Sequence, residues 1–266
     1  MKKLLILAAM PLLASCLNPA ALEQQEERVI TFSTSSVSTT RASLQEVQMT
    51  DLWVFVDDVL KVHQTSADAD FGSPSLSLSH GEHVLKFLAS KGTDPSFDNG
   101  IMTWSKAHDT FAKEVSLTVD DNTSAIQTVR LDRIVAKLQL LVKDKLPEGV
   151  ATITLILSKR STGFDVSGMS ALNAEEIEQT FQIGDWEGKQ GTKYTVYSLQ
   201  TDEECVTDVS VILTDTKGNE LANRTIENVP LTRNTTTILQ GYLLDADINA
   251  SIGADGEWNV DNEVEF

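Results

Sequence analysis

Cysteine and basic residues are both scarce in this sequence. Only Cys16 and Cys205 occur among 266 residues, too few for a disulfide framework, so the fold must rest on hydrophobic cores. Lys and Arg number 21 against 39 Asp and Glu, which gives a formal net charge of −18. Because nucleic-acid binding needs a basic surface to neutralise phosphates, this charge balance argues against a nucleic-acid partner.

Motifs that carry catalysis are also missing. The sequence has no Gly-x-Ser-x-Gly elbow, no phosphate-binding glycine loop and no dinucleotide fingerprint. The abundant acids leave a carboxylate pair for glycoside cleavage open, but abundance does not place two carboxylates at the required separation. We therefore predict that the protein is not an enzyme and binds no cofactor.

Candidate metal ligands are few. The four histidines are His63, His80, His83 and His108, and no Cys pair or His-Glu-x-x-His helix accompanies them. His80 and His83 would point to opposite faces of a predicted hairpin, so we interpret them as surface or turn residues and predict no metal site.

An acidic segment near residue 245 resembles the start of a calcium loop. It runs Asp245-Ala-Asp247-Ile-Asn249, but the sixth position is Ala250 and the twelfth is Gly256, where an EF-hand needs glycine and glutamate. An EF-hand is excluded, and a calcium site of another kind stays open.

Long apolar runs are confined to the N-terminus. Lys2 and Lys3 precede the apolar stretch Leu4–Leu13, which is too short to span a bilayer and is typical of a secretory signal over residues 1–15. The sequence Leu13-Ala-Ser-Cys16 closes it and resembles the bacterial lipoprotein box. That resemblance implies cleavage before Cys16 and acylation of its thiol, whereas an ordinary secretory signal would leave Cys16 unmodified.

An acylated Cys16 would make the protein a membrane-anchored lipoprotein. One acyl chain such as palmitate gives only marginal membrane binding, whereas several together form a stable anchor. Residues 16–28 are polar and acidic, so we interpret them as a tether. Cys205 would then be the remaining cysteine, and its acidic neighbours disfavour a reactive thiolate.

Short strands dominate the first half of the chain. The apolar run Leu52–Val56, a turn at Asp57-Asp58 and a return strand Val59–His63 predict one hairpin. Alternating Leu76 and Leu78, followed by a turn at His80-Gly81 and the segment His83–Phe87, predict a second. A further strand ends with Phe111–Val119.

The second half repeats this style. We predict strands at Val135–Val142, Val150–Leu157, Tyr194–Leu199, Val206–Leu213, Leu221–Ile226 and Ile238–Leu244. Two exceptions are a helical turn at the start of Leu131–Val142 and a short helix opening at Asn173, where acids follow a candidate N-cap. The pattern predicts an all-β protein of two β-sandwich domains, residues 29–145 and 146–266.

Three segments together resemble the fimbrillin superfamily of the Bacteroidales, and within it the FimB/Mfa branch of short lipoproteins. They are the lipoprotein box Leu13–Cys16, the segment Leu131–Leu140 and the segment Val229–Leu244. The resemblance implies two tandem transthyretin-like (Greek-key) β-sandwiches. It also implies an outer-membrane lipoprotein at the cell surface, a pilus subunit or fimbrial anchor that supports adhesion.

The same resemblance implies assembly with sibling fimbrial subunits by donor-strand exchange. In polymerising members an arginine-directed protease removes a first strand, and a strand from the next subunit fills the groove. The matching segment here is Val29–Arg41, a candidate edge strand and loop or more linker. Arg41 is the predicted cleavage site and Arg28 the second candidate.

An alternative function is glycan binding by a surface lipoprotein. Trp104 and Trp186 lie in polar surroundings and could stack on sugars, whereas Trp53 lies in an apolar run and is assigned to the core. Whether the chain is an anchor, stalk or tip subunit, and which ligand it grips, is not encoded in a readable motif.

Overall fold

Twenty β-strands form the regular secondary structure of the residues that the structure describes. The computed structural model describes residues 26–36, 43–92, 95–184, 190–200, 204–244, 251–253 and 259–265. These described residues contain no α-helix, which confirms the all-β prediction. No helix in this part of the chain is therefore able to cross a membrane.

Nine strands come from the N-terminal half. They are β1 (Glu27–Ser36), β2 (Asp51–Val56), β3 (Val59–Thr65), β4 (Ser75–Ser79), β5 (Gly81–Ser90), β6 (Ser96–Asp98), β7 (Ile101–Thr103), β8 (Thr110–Val119) and β9 (Ile126–Arg133).

Eleven strands follow. They are β10 (Val135–Lys145), β11 (Val150–Arg160), β12 (Gly163–Asp165), β13 (Ser170–Ala171), β14 (Glu175–Gln182), β15 (Gln190–Leu199), β16 (Glu204–Asp215), β17 (Glu220–Thr232), β18 (Thr235–Gly241), β19 (Ser251–Gly253) and β20 (Asn259–Glu265).

Seven N-terminal strands form one sheet in the order β3-β2-β5-β8-β9-β1-β4. Strands β8 and β9 meet only near Phe111, so the sheet divides there into two parts. Apolar side chains of both parts share one buried cluster, which we call the first core, and Phe32 of β1 contacts Phe87 of β5 with ring centroids 5.4 Å apart. The two parts therefore pack face to face as a sandwich.

Two sheets build the second sandwich. One has the order β15-β10-β18-β19-β20 and the other β14-β11-β16-β17. Alternate side chains such as Leu138 and Leu140 of β10, and Ile153 and Leu155 of β11, meet in a second core. Because successive strand residues point to opposite faces, this alternation buries one face of each sheet.

A third apolar cluster, which we call the third core, joins the two sandwiches. Trp53, Leu88 and Trp104 from the first half pack with Val135 and Phe164 from the second. A small sheet, β13-β12-β7-β6, pairs strands of both halves. The nearly buried Lys86 also donates from Nζ to the carbonyl of Ser167 at 2.6 Å, so the halves are connected by both apolar and polar contacts.

The division of the chain at residue 145 stays a prediction. Strand β10 ends at Lys145, yet Leu138, Leu140 and Val142 lie in the second core, and β10 pairs with β15 and β18. We therefore propose a division just before β10, near Ile134.

The first predicted hairpin is confirmed. Strands β2 and β3 pair antiparallel, and both turn residues are left-handed, with φ of 51° at Asp57 and 64° at Asp58. A two-residue turn with positive φ at both positions matches the twist of a hairpin.

The second predicted hairpin is wrong. Strand β4 pairs with β1, whereas β5 pairs with β2 and β8. Both segments are strands, as the alternation predicted, but the turn between them leads from one part of the sheet to the other. Local alternation does not determine which distant strand offers the better partner.

The two predicted helical segments are strands as well. Leu131 lies in β9, and Glu175–Gln182 forms β14 at the edge of its sheet. In β14 the half-buried Ile177, Gln179 and Phe181 alternate with exposed residues, and pairing with β11 satisfies the backbone. Tertiary pairing therefore outweighs the favourable N-terminal helix signal at Asn173.

The turn between β2 and β3 is held by an ion pair with His83. The Nδ1 atom of His83 lies 2.8 Å from Oδ2 of Asp57, and its Nε2 lies 2.9 Å from the carbonyl oxygen of Ser79. The hydrogen bond to Asp57 raises the pKa of His83. The backbone N–H of Val84, followed by the His83 bond, lowers the pKa of Asp57. Both shifts favour the charged pair in the folded state.

We expect a pH-dependent stability difference between the wild type and H83Q. Since the pKa of His83 is raised by folding, its stabilising effect is fully present below its unfolded value of about 6.5 and is lost as the pH rises through the folded value. The Asp57 contribution is instead lost as the pH falls through its lowered pKa. Urea unfolding of both proteins between about pH 5 and pH 9 measures the difference.

The variant D57N provides the control. In that background the H83Q substitution should lose most of its pH dependence, because the carboxylate partner is gone. An H83Q effect that is equal at pH 5 and pH 9 in the wild-type background would contradict the assignment of a charged pair.

Candidate functional site

Strand β1 lies inside the first sheet, with partners on both sides. Residues 31–36 pair in parallel with β9, and residues 27–31 pair antiparallel with β4. The prediction that Val29 begins a strand is confirmed, but β1 is an interior strand and not an edge strand. It begins two residues earlier than predicted, at Glu27.

The inner face of β1 belongs to the first core. Ile30 and Phe32 are completely buried, and Thr34 and Ser36 continue the same face with small buried side chains. Val29, Thr31 and Ser33 alternate with them on the outer face. Burying side chains the size of Ile30 and Phe32 stabilises a fold by about 1.5–3 kcal/mol each.

Strand β1 also forms hydrogen bonds with the backbone just before β4. The N–H groups of Phe32 and Thr34 donate to the carbonyls of Pro74 and Gly72, each at 2.9 Å, and the Thr34 hydroxyl also donates to Gly72 at 2.7 Å. Gly72 has φ of +85°, and a Cβ there would lie 3.4 Å from the Thr34 hydroxyl. The contact distance is an ordinary one, so it is the left-handed φ that favours glycine at this position.

The neighbour β4 depends on β1. Within the described residues β4 is the last strand of the sheet and pairs only with β1. Loss of β1 would therefore open a slot between β4 and β9 and would leave the backbone groups of both strands unpaired. Such exposed strand edges readily accept another strand.

The start of β1 is fixed by Arg28. Its Nη1 donates to the carbonyls of Asp121 at 2.5 Å and Asp120 at 3.3 Å in the loop between β8 and β9. Hydrogen bonds from Thr123, and then from the backbone of Asn122, lower the pKa of Asp120, so the loop carries its negative charge beside Arg28.

The predicted processing sites fall in different parts of the chain. Cys16 and Arg41 lie outside the described residues, so their roles stay predictions. Arg28 lies within paired β1, opposite Leu78. Residues 37–42, which include Arg41, connect Ser36 to Ser43, and Ser43 forms an isolated bridge with Ser35.

Trp104 does not supply an exposed stacking surface. It is only 4% exposed, its ring contacts Trp53 edge-on, and its Nε1 donates to the carbonyl of Gly92 at 3.2 Å. The prediction of an exposed Trp104 is therefore wrong, because the third core covers the ring, while Trp53 is confirmed as a core residue. Trp186 lies outside the described residues, as does the acidic segment 245–250.

The histidines are distributed over the surface, turns and edges. His63 of β3 stacks on Trp53 and lies 2.8 Å from a carboxylate oxygen of Asp51. His80 lies in the turn after β4, between Glu26 and Asp121. Sequence spacing does not reveal this last grouping, since its members are 41 to 95 positions apart and only sheet pairing brings them together.

A family model described as "Family of unknown function (DUF6562)" matches residues 99–265. No curated protein matches the sequence. Solved structures of similar fold do exist, and three of them are described below.

A candidate adhesin from Bacteroides thetaiotaomicron is 10% identical, with 92% of this chain and 99% of that chain covered and a TM-score of 0.56. A candidate polysaccharide-binding protein from the same organism is 10% identical, with coverages of 88% and 98% and a TM-score of 0.55. The fimbrial anchor protein Mfa2 from Porphyromonas gingivalis is 11% identical, with coverages of 88% and 99% and a TM-score of 0.48.

The two Bacteroides structures match this chain over nearly their whole length. They show that this chain shares the fold of these Bacteroides proteins, and they confirm the prediction of β-sandwich architecture.

We expect F32A to destabilise the protein by about 3–5 kcal/mol, because the substitution leaves a cavity in the first core. The exposed neighbour gives a matched control, since S33A should stay within about 0.5 kcal/mol of the wild type. Urea unfolding measures both. Equal stability of F32A and S33A would show that β1 is not packed in the core.

Proposed function

This chain belongs to the DUF6562 family of unknown function, and we propose that it is a non-enzymatic cell-surface lipoprotein, a fimbrial subunit or fimbrial anchor that assembles by exchange of its first strand. The observation that carries the proposal is the position of β1, which is paired on both sides, buried on one face and followed at once by the segment that contains Arg41.

The fold neighbours support the surface role. Structures that share this architecture are described as a candidate adhesin and a candidate polysaccharide-binding protein, and neither description names a catalytic activity. The likeness extends over both sandwiches. A fimbrial or adhesin-like role on the cell surface is consistent with these relatives and with the signal at Leu13–Cys16.

Strand exchange is favoured by the chemistry of the slot. A donor would replace the hydrogen bonds to β9 and β4, which are independent of sequence, and would insert alternate side chains into the positions of Ile30 and Phe32. Main-chain bonds then supply affinity, while the pockets supply specificity. A fitting donor has two large apolar residues followed at the same spacing by two small ones, as in Thr34 and Ser36.

Arg41 is the better processing site of the two candidates. A protease must draw an extended segment into its active site, and the backbone around Arg28 is already paired with β4. Cleavage after Arg41 would separate the whole of β1 from the rest of the chain, whereas cleavage after Arg28 would leave Ile30 and Phe32 attached.

The role of Cys16 follows from the lipoprotein box. Acylation there would hold the chain at the outer membrane, and cleavage after Arg41 would release the remainder from that lipid. One chain can thus exist in an anchored and a released form, with sibling fimbrial subunits as partners and no nucleic acid involved.

Glycan binding remains the second candidate function. It rests on the fold shared with the candidate polysaccharide-binding protein. Because Trp104 is buried, the stacking surface would have to come from other residues.

We expect strand exchange to require cleavage at Arg41. The chain is treated with an Arg-specific protease and mixed with a fluorescent peptide of residues 27–36. The peptide should bind to the cleaved chain, and R41A, which cannot be cut at position 41, should take up little of it. A peptide carrying Phe32→Asp provides the matched control, since its charge cannot enter the first core. Equal uptake by intact R41A, or equal uptake of both peptides, would contradict the proposal.

We expect the protein from its own cell envelope to begin at an acylated Cys16 or at Ala42. Intact mass and N-terminal sequencing distinguish an anchor, which keeps residues 16–41, from an assembled subunit, which has lost them. The variant C16S should lack the lipid mass. An unmodified Cys16 in the wild-type protein would contradict lipid anchoring.

A further inference from the structure

We propose that Glu26, His80 and Asp121 bind a divalent transition-metal ion such as Zn²⁺, which clamps the start of β1 to the rest of its sheet. One carboxylate oxygen of each acid and one ring nitrogen of His80 lie within 4.8 Å of one another. Nδ1 of His80 is 3.9 Å from Glu26, and Nε2 is 3.7 Å from Asp121.

The three ligands come from three separate segments that the backbone already holds together. Glu26 immediately precedes β1, His80 follows β4, and Asp121 follows β8. The N–H of His80 donates to the carbonyl of Glu26 at 3.0 Å. On the other side, Arg28 binds the carbonyl of Asp121 at 2.5 Å. Binding an ion therefore requires side-chain adjustment and no movement of the sheet.

The donor set favours zinc over calcium or magnesium. Imidazole nitrogen with carboxylate oxygens suits Zn²⁺, whereas Ca²⁺ and Mg²⁺ prefer oxygen ligands alone. Tetrahedral zinc binds one ring nitrogen and holds its ligand atoms about 3.4 Å apart, whereas the three candidate atoms lie within 4.8 Å of one another, so the gaps must close by up to about 1.4 Å. The side chains of Glu26 and Asp121 are 78% and 84% exposed and can rotate, while His80 is 32% exposed and better fixed. Water would complete the coordination.

The charge around the cluster is negative. Glu27 and Asp120 adjoin the two acidic ligands in sequence, and Arg28 is the neighbouring cation. The Arg28 guanidinium opposes a metal ion, but it is directed at the carbonyls of Asp120 and Asp121 and not at their carboxylates. Four acids against one arginine leave a net attraction for a divalent ion.

Such an ion would regulate the exchange of β1. An ion that binds only when Glu26 is in place stabilises the state in which β1 is present, by mass action. Zinc should therefore retain the cleaved strand in its slot, and a chelator should release it. This consequence rests on the proposed function, whereas the binding site itself does not.

Zinc binding is tested by titrating ZnCl₂ into the full chain and its variants by calorimetry, in a C16S background that removes one competing thiol. We expect one site that H80A weakens at least about tenfold, with E26Q and D121N also weakened. The matched control is H63A, because His63 also lies beside a carboxylate, that of Asp51, but has no second acid recorded within ligand distance in the described chain. Equal binding by H80A and the parent, or no binding by the parent, would overturn the site.

The clamp is tested separately with the cleaved chain and the fluorescent peptide of residues 27–36. We expect uptake of this peptide to be several-fold slower with ZnCl₂ than with EDTA, and this difference should disappear in H80A but persist in H63A. If the chain binds zinc but zinc does not change the uptake of the peptide, the clamp is overturned and strand exchange is left intact. No uptake under any condition, with zinc binding preserved, overturns the proposed strand exchange and leaves the metal site standing.

Discussion

The structure depends most on the two-sided pairing of the first strand. Strand β1 lies between β9 and β4 and contributes Ile30 and Phe32 to the first core. In the described part of the chain, β4 pairs only with β1. In the proposed strand exchange, another strand of matching side-chain pattern would take this position, because backbone hydrogen bonds do not depend on sequence.

The second sandwich and its contacts with the first stabilise the chain independently of β1. The second sandwich has its own core, and the third core with Trp53 and Phe164 fastens it to the first. Without a disulfide framework, these apolar contacts must hold the chain together while the slot of β1 is empty. Lys86 adds a polar contact across the same interface, to Asp58 on one side and Ser167 on the other. The proposed strand exchange would therefore be confined to the sandwich that contains β1.

Charge concentrates at one end of β1. Glu26, Asp120 and Asp121 surround the start of β1, with Arg28 and His80 among them. Electrostatics at exposed residues contributes little to stability by itself, but it is easily changed by ions. With a metal ion bound at its start, β1 would be held stably in the sheet by its buried apolar side chains, while the ion would set the rate at which β1 leaves the sheet.

The sequence by itself determined local properties of this protein: the predominance of short strands in the described residues and the hairpin turn at Asp57-Asp58. These properties depend on residues that are neighbours in the chain, so the alternation of apolar and polar residues and the preferences for turns can be read from the sequence. The signal over residues 1–15 stays a prediction. Only the tertiary structure decided that β4 pairs with β1 instead of β5, that Glu175–Gln182 is an edge strand, and that Trp104 is buried. Each of these outcomes depends on contacts between residues far apart in the chain, where burial and pairing outweigh local preference.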